Sequence, residues 1–447
     1  MARGEFNSRI GTFATVAGSV VGLGNLWRFP YLAGENGGSA FLLVYLCVSL
    51  LVSLPVMLSE LSIGRSQRCN AMRAFKNIAP GPWFLVGFLG VAAAYVITSF
   101  YMVVGGWSLE FLRASVVGEF SGKSSEEIKN YFDLFLAGGT GPTLQALVSL
   151  GISLVVVVLG VSKGIERFNK ILMPALFVLI LILVCNSLFC LPESWKGVTF
   201  LLKPDFEKIS LQTVLTAMGQ SFFSLSLGMG AMLTYGSYIS SDRNLPKTAL
   251  GIVTFDSLVA ILSGMVIFPA VFSFGLEPTQ GPTLLFNTMP NIFQQMPGGY
   301  GFSILFFLLV YFAAVTSQVS LLETVAAFAS EELRMKRWKA CLAVALTMSV
   351  TGSMCALSLS GHGWFEIGGK PLFDIFDSVS SNVMLPLGGF FIVLFAGWIM
   401  PSRVLQSQLT NSENESPSIN YVVLRFLIRF VSPIFVALLF LTLIGVI

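Results

Sequence analysis

The stretch that decides the fold is Thr15–Pro30, T-V-A-G-S-V-V-G-L-G-N-L-W-R-F-P. It is apolar enough for a bilayer, yet Gly18, Gly22 and Gly24 lie within seven residues and Asn25 follows. Each glycine costs about 1 kcal/mol against alanine in a helix interior. Backbone stripped of its helical hydrogen bonds survives at membrane depth only against protein or a wet cavity. The pattern predicts two half-helices meeting near 21–25. The first half ends in free carbonyls, which suit a cation, and the second begins with free N–H groups, which suit an anion. On this stretch alone, a glycine-packed helix crossing accounts for the small residues equally well.

A second stretch, Thr216–Tyr238, has the same build: an apolar span interrupted at Gly228 and Gly230, with Ser221, Ser224 and Ser226 just before the break. Paired interruptions in two halves of one chain point to a transporter with inverted repeats. Composition agrees. The chain has 447 residues, 55% hydrophobic and 11% charged, with a mean hydropathy of +0.80, far outside the range of soluble domains. A net charge of +3 gives no case for nucleic acid as a partner. The six cysteines show no metal spacing, and Cys185 and Cys190 are badly placed for a disulfide on one helix. His362 is the single histidine, and no HExxH or nucleophile–base pair supports an enzyme. The N-terminus lacks the cleavage site of a signal peptide.

Eleven spans are expected, at roughly 10–34, 38–64, 84–114, 144–161, 168–190, 213–238, 246–274, 301–332, 339–358, 373–400 and 419–446. With the N-terminus cytoplasmic, 18 of the 26 basic residues fall on the inner side. The C-terminus is then extracytoplasmic, and the chain is a multi-pass protein of the cell membrane, with lipid as a partner. Of the outer segments, 118–142 is expected to carry a short helix over 124–137, and 277–297 to dip over the centre as a cap. The inner loop 406–418 reads as a plain linker.

Charged residues inside spans are expensive and default to function. Glu60 is expected to brace the broken first span. Asp256 has no basic neighbour in sequence and invites a cation, the alternative being a protonated carboxyl in a helix bundle. Arg28 and Asp377 lie near the outer ends of their spans, where snorkelling is the plainer account. In span eight, Thr316 and Ser320 share a face, with Ser317 beside them.

The run G-S-V-V-G-L-G-N-L-W-R-F-P-Y, followed by E-N-G-G-S-A-F, resembles the opening of the neurotransmitter:sodium symporter family. The resemblance continues through P-V-M-L-S-E-L-S-I-G-R, G-Q-S-F-F-S-L-S-L-G-M-G, F-A-A-V-T-S and the Gly164-x9-Pro174 spacing, over nearly the whole chain. It implies an all-α integral membrane fold. Spans 1–5 (about 10–190) and 6–10 (about 213–400) form an inverted repeat within one transporter domain, and an extra helix follows at about 419–446. It implies sodium-coupled amino-acid uptake, with a sensor on the same fold as the alternative.

By matching motif positions, the substrate carboxylate would meet the N–H groups of Leu23 and Gly24 and the Tyr101 hydroxyl. The ammonium would meet the carbonyls of Val20, Phe223 and Ser224 and the Ser226 hydroxyl. The side-chain pocket would be Ile97, Tyr101, Val104, Phe223, Met229, Ser317, Ser320 and Leu321, which suits hydrophobic or aromatic L-amino acids. One sodium would use the Val20 carbonyl, Asn25, Ser224, Asp256 and the substrate carboxylate. The other would use the carbonyls of Gly18, Val21 and Ala313 and the hydroxyls of Thr316 and Ser317. Arg28 and Asp377 would close the outer side over Tyr101 and Phe223. Arg3 and Glu331 would close the inner side, with Phe6, in place of the usual Trp, and Tyr238 beneath the site. Chloride-dependent relatives have Asn at the position of Asp256 and Ser at that of Ala260, near residues matching Tyr45 and Gln220. No chloride is therefore expected here, and Asp256 would take up a proton once sodium leaves, allowing proton antiport.

Overall fold

The computed structural model describes residues 4–275, 284–296, 298–410 and 419–446. The expected inner-gate residue Arg3, part of the outer segment 277–297 and the linker residues 411–418 lie outside that set. The first span is broken as its glycines predict. Helix α1 (Arg9–Val20) and helix α2 (Gly24–Glu35) meet at 49° across residues 21–23. Ser8 caps α1 by accepting the Gly11 N–H. A Cβ at Gly22 would stand 2.2 Å from the Ser317 hydroxyl, so a side chain at this elbow would collide with the neighbouring helix.

The chain continues through α3 (Ser39–Gln67), α4 (Ala71–Ile78), α5 (Phe84–Val116), α6 (Ser125–Ala137), α7 (Thr140–Val158), α8 (Val161–Phe189) and α9 (Ser194–Leu202). Pro174 sits inside α8, and the wider turns Val161–Glu166 open it at the Gly164 end. The second broken element is α10 (Leu211–Ser224) and α11 (Ala231–Gly236). Between them Gly228 has φ +78° and Gly230 φ +72°, conformations that side chains resist. There follow α12 (Leu245–Ser273), α13 (Met289–Gln295), α14 (Gly299–Glu332), α15 (Arg337–Ser358), α16 (Leu372–Ile399), α17 (Ser402–Thr410) and α18 (Ile419–Leu443).

Among the described residues nine helices are long and apolar enough to cross a membrane, or ten with α1 and α2 as one bent span. Eleven is reached only by taking α10 and α11 together as another broken span. The long pair α5 and α14 pack most extensively, and α1 and α11, one half of each broken helix, pack on α14.

Helix α6 begins as expected, with a reciprocal cap between Ser124 and Glu127. Phe286 and α13 are the described part of the segment expected to form a cap, Phe286 packing among Trp107, Phe111, Phe132 and Phe307. One reading is corrected. Residues 406–410 of the expected linker belong instead to helix α17, whose Leu405 and Leu409 are buried and whose Gln408 binds Arg65. Between spans five and six lies helix α9, packed on α12. Its Gly197 comes against the Phe268–Pro269 backbone too closely for a side chain.

Candidate functional site

Both breaks open onto one cavity, lined by Val20, Gly22, Gly24, Ile97, Tyr101, Phe223, Ser224, Ser226, Met229, Ser317 and Leu321. It is contracted, about 20 Å³, room for about one water. No side chain in its wall is charged. At one end the Tyr101 hydroxyl accepts the Leu23 N–H at 3.2 Å, and the Asn25 carboxamide accepts the Gly22 N–H at 3.1 Å. These are orphan donors at the start of α2, the positive end of its dipole. At the other end Ser226, at φ +53°, donates its hydroxyl to the Ser19 carbonyl at 2.9 Å. That bond stitches the two broken helices together and offsets the cost of a left-handed serine, about 1–2 kcal/mol.

Of the residues expected in the pocket, Leu23, Val104 and Ser320 are not in the wall. Leu23 contributes its backbone behind Tyr101, Val104 is buried, and Ser320 donates to the Ser317 carbonyl of its own helix. Gly22 was missed, though the G-x-G spacing marks it. Phe223 and Met229 are both buried against the cavity.

Asp256, Asn25 and Ser224 come together. The fully buried Asp256 carboxylate accepts from Asn25 at 2.8 Å and Ser224 at 2.8 Å on one oxygen, and from Tyr45 at 2.7 Å on the other. Gln220 donates to the Gly24 carbonyl at 2.7 Å, and Ala260 is buried in an adjoining apolar cluster. A second oxygen cluster stands across α1: the Thr316 hydroxyl lies 3.0 Å from the Ala313 carbonyl and 3.4 Å from the Val21 carbonyl. Neutral oxygens converging in a buried site fit a hard monovalent cation. Gly18 packs on Asn169, whose carboxamide oxygen has no hydrogen-bond partner among the described residues, and Ser317 packs on Gly22.

Glu60 does not brace the first break. Its carboxylate accepts the Gly228 N–H at 2.8 Å, in the second break. On the side expected to be outer, Arg28 lies 4.6 Å over the Phe223 ring. Among the described residues no ion pair joins Arg28 to Asp377. Tyr31 is within electrostatic reach of both, and Asp377 accepts from Ser381 at 3.1 Å. On the side expected to be inner, Phe6 is buried edge-on against Tyr235 and Tyr238. Glu331 accepts from the Asn70 backbone and side chain. Sequence reading missed Glu323, fully buried and bonded by Arg337 at 2.6 Å and by the Tyr238 hydroxyl at 2.5 Å. The signal was present: a carboxylate inside an apolar run.

A many-span helical bundle with two helices broken at one cavity is the build of a secondary transporter. The sequence profile of the sodium:neurotransmitter symporter family matches residues 3–132 and 137–447, and the chain belongs to that family, whose members are transporters and not enzymes. It is 38% identical over 443 residues to the sodium-dependent transporter YhdH of Bacillus subtilis, covering 99% of this chain and 98% of that one. A sodium-dependent transporter of Haemophilus influenzae is 34% identical, with 98% of each chain covered. The crystal structure of MhsT in complex with L-phenylalanine superposes with a TM-score of 0.91 at 39% identity, covering 99% of this chain and 100% of that one.

Proposed function

We propose that the chain is a symporter that takes up hydrophobic or aromatic L-amino acids with two sodium ions, without chloride, and with a proton carried back on Asp256. The observation that carries the substrate class is the cavity wall. It has donors at the start of α2, acceptors at the ends of α1 and α10, and only apolar or hydroxyl side chains between. A charged side chain would be buried there without a partner. The cavity must widen to admit an amino acid, and Met229, with its flexible thioether, and Phe223 are the residues placed to retreat. The similar MhsT structure holds L-phenylalanine, which fits this reading.

The first sodium would sit between the Val20 carbonyl, Asn25, Ser224 and Asp256, shared with the substrate carboxylate. The second would sit among the Gly18, Val21 and Ala313 carbonyls and the Thr316 and Ser317 hydroxyls. The chain would form one domain of two inverted repeats, about 10–190 and 213–400, with α18 outside them. Its N-terminus would be cytoplasmic and its C-terminus extracytoplasmic. Arg28 and Phe223 would form the outer lid, with Asp377 joining through Tyr31. Phe6, Tyr238, Glu331 and Arg3 would form the inner closure.

The deciding experiment is uptake of labelled L-phenylalanine into proteoliposomes under an inward sodium gradient. Leu, Tyr and Trp should compete and Gly and Glu should not. Binding without sodium-driven accumulation would mean a sensor, and displacement by Gly or Glu in preference would refute the substrate class.

A further inference from the structure

Another cavity lies at the start of helix α1, away from the breaks. It measures about 450 Å³ and is lined by Arg9, Thr12 and Phe13 of α1, by Asp242, Arg243 and Asn244, and by Lys247 and Thr248 of α12. Three cations face one carboxylate. Asp242 is half-exposed and lies 3.4 Å from Arg243. Its carboxyl is held below the usual range by the Ser240 hydroxyl, with Arg243 and Arg9 adding to the effect. Among the described residues neither Arg9 nor Lys247 is in an ion pair, and the buried Nε of Arg243 has no hydrogen-bond partner.

The helices add to this imbalance. Both α1 and α12 begin at the cavity, so two positive dipole ends converge on it. Arg9 and Lys247 stand in those first turns, where a helix disfavours cations. Intramolecular pairing does not relieve this charge, and an external anion would. The cavity also has an apolar flank on the bundle surface. Ile10, Leu250 and Leu258 are exposed, and Phe13 packs on Phe255 at 5.8 Å. A free anion has no use for that flank, whereas an acyl chain does.

We propose that this cavity is a seat for one anionic phospholipid, its phosphate among Arg9, Arg243 and Lys247 and a chain along Ile10, Phe13 and Leu250. Basic pockets between membrane helices suit such headgroups. A lipid held there bridges α1 to α12.

The test uses the full chain purified in zwitterionic detergent. Short-chain phosphatidylglycerol, short-chain phosphatidylcholine or inorganic phosphate is added, and bound lipid (by native mass spectrometry) and melting temperature are read. Phosphatidylglycerol should be retained and should raise the melting temperature, while phosphatidylcholine and phosphate should do neither. Arg9→Gln with Lys247→Gln should lower retention by about fivefold per lost cation. Asp242→Asn, which removes the opposing charge, should raise it. Equal retention in wild type and both variants would overturn the proposal, as would an equal shift with phosphate or with phosphatidylcholine. The opposite sign expected for Asp242→Asn separates loss of the seat from a general loss of folding.

Discussion

Glu323 and Arg337 form an ion pair at 2.6 Å in which the carboxylate has no exposed surface and the guanidinium side chain is 31% exposed. Arg337 also donates to the Val157 carbonyl, and Tyr238 donates to Glu323. One pair therefore ties α7, α14 and α15 to Tyr238, just past α11, on which the Phe6 ring packs.

That asymmetry orders two substitutions. Arg337→Gln strands a buried carboxylate and should cost about 3–5 kcal/mol. Glu323→Gln should cost less, because Arg337 reaches water and the amide still accepts from Tyr238. Unfolding of both variants in detergent reads the order, and a larger loss for Glu323→Gln would count against it.

Thr316→Val with Ser317→Ala removes the hydroxyl beside the Val21 and Ala313 carbonyls and the one beside Gly22. Sodium-dependent uptake should be lost, and so should the rise in melting temperature on adding sodium. If both persist, the second sodium lies elsewhere.

Uptake should be the same in gluconate and in chloride. While sodium is bound, an ionised Asp256 would supply a negative charge, which at about 4 Å attracts a cation by roughly 4 kcal/mol at an effective dielectric of 20. Asp256→Asn with Ala260→Ser removes the charge and adds a hydroxyl beside Tyr45, so this variant should be stimulated by chloride. Chloride stimulation of the wild type would contradict the assignment.

Arg28 should matter through Phe223 more than through Asp377. A cation over an aromatic face contributes about 0.5–2 kcal/mol. Phe223→Leu should therefore speed substrate release roughly two- to thirtyfold, with Asp377→Asn milder. Release rates from single-turnover exchange decide this, and a larger effect for Asp377→Asn would restore the direct ion pair.

Gly22→Ala should abolish substrate binding while the protein still folds. The new methyl would stand 2.2 Å from the Ser317 hydroxyl and 3.2 Å from that of Tyr101, inside the cavity wall. Binding of labelled substrate alongside a normal elution volume is the readout, and unaltered affinity would show that the elbow has room to spare.

The broken helices were legible in the sequence because their cause is local. Gly22, Gly24, Gly228 and Gly230 lower the cost of leaving the helix, and apolar neighbours keep the interruption in the membrane. The convergence of Asp256 with Asn25 and Ser224 was legible too, through the resemblance of whole motifs. Other features depended on which helices became neighbours. Glu60 was assigned to the first break, but packing of α3 on α11 delivers it to Gly228, 168 residues away. Arg28 and Asp377 looked like partners, yet Tyr31 stands within reach of both, and the Phe223 ring takes the guanidinium. Glu323 found Arg337, and Gln408 found Arg65, across gaps that no sequence period spans. Chain-local chemistry sets where a helix must break. Which buried polar group meets which partner is decided only when the helices pack, because each must find whatever donor or acceptor the neighbouring surface presents.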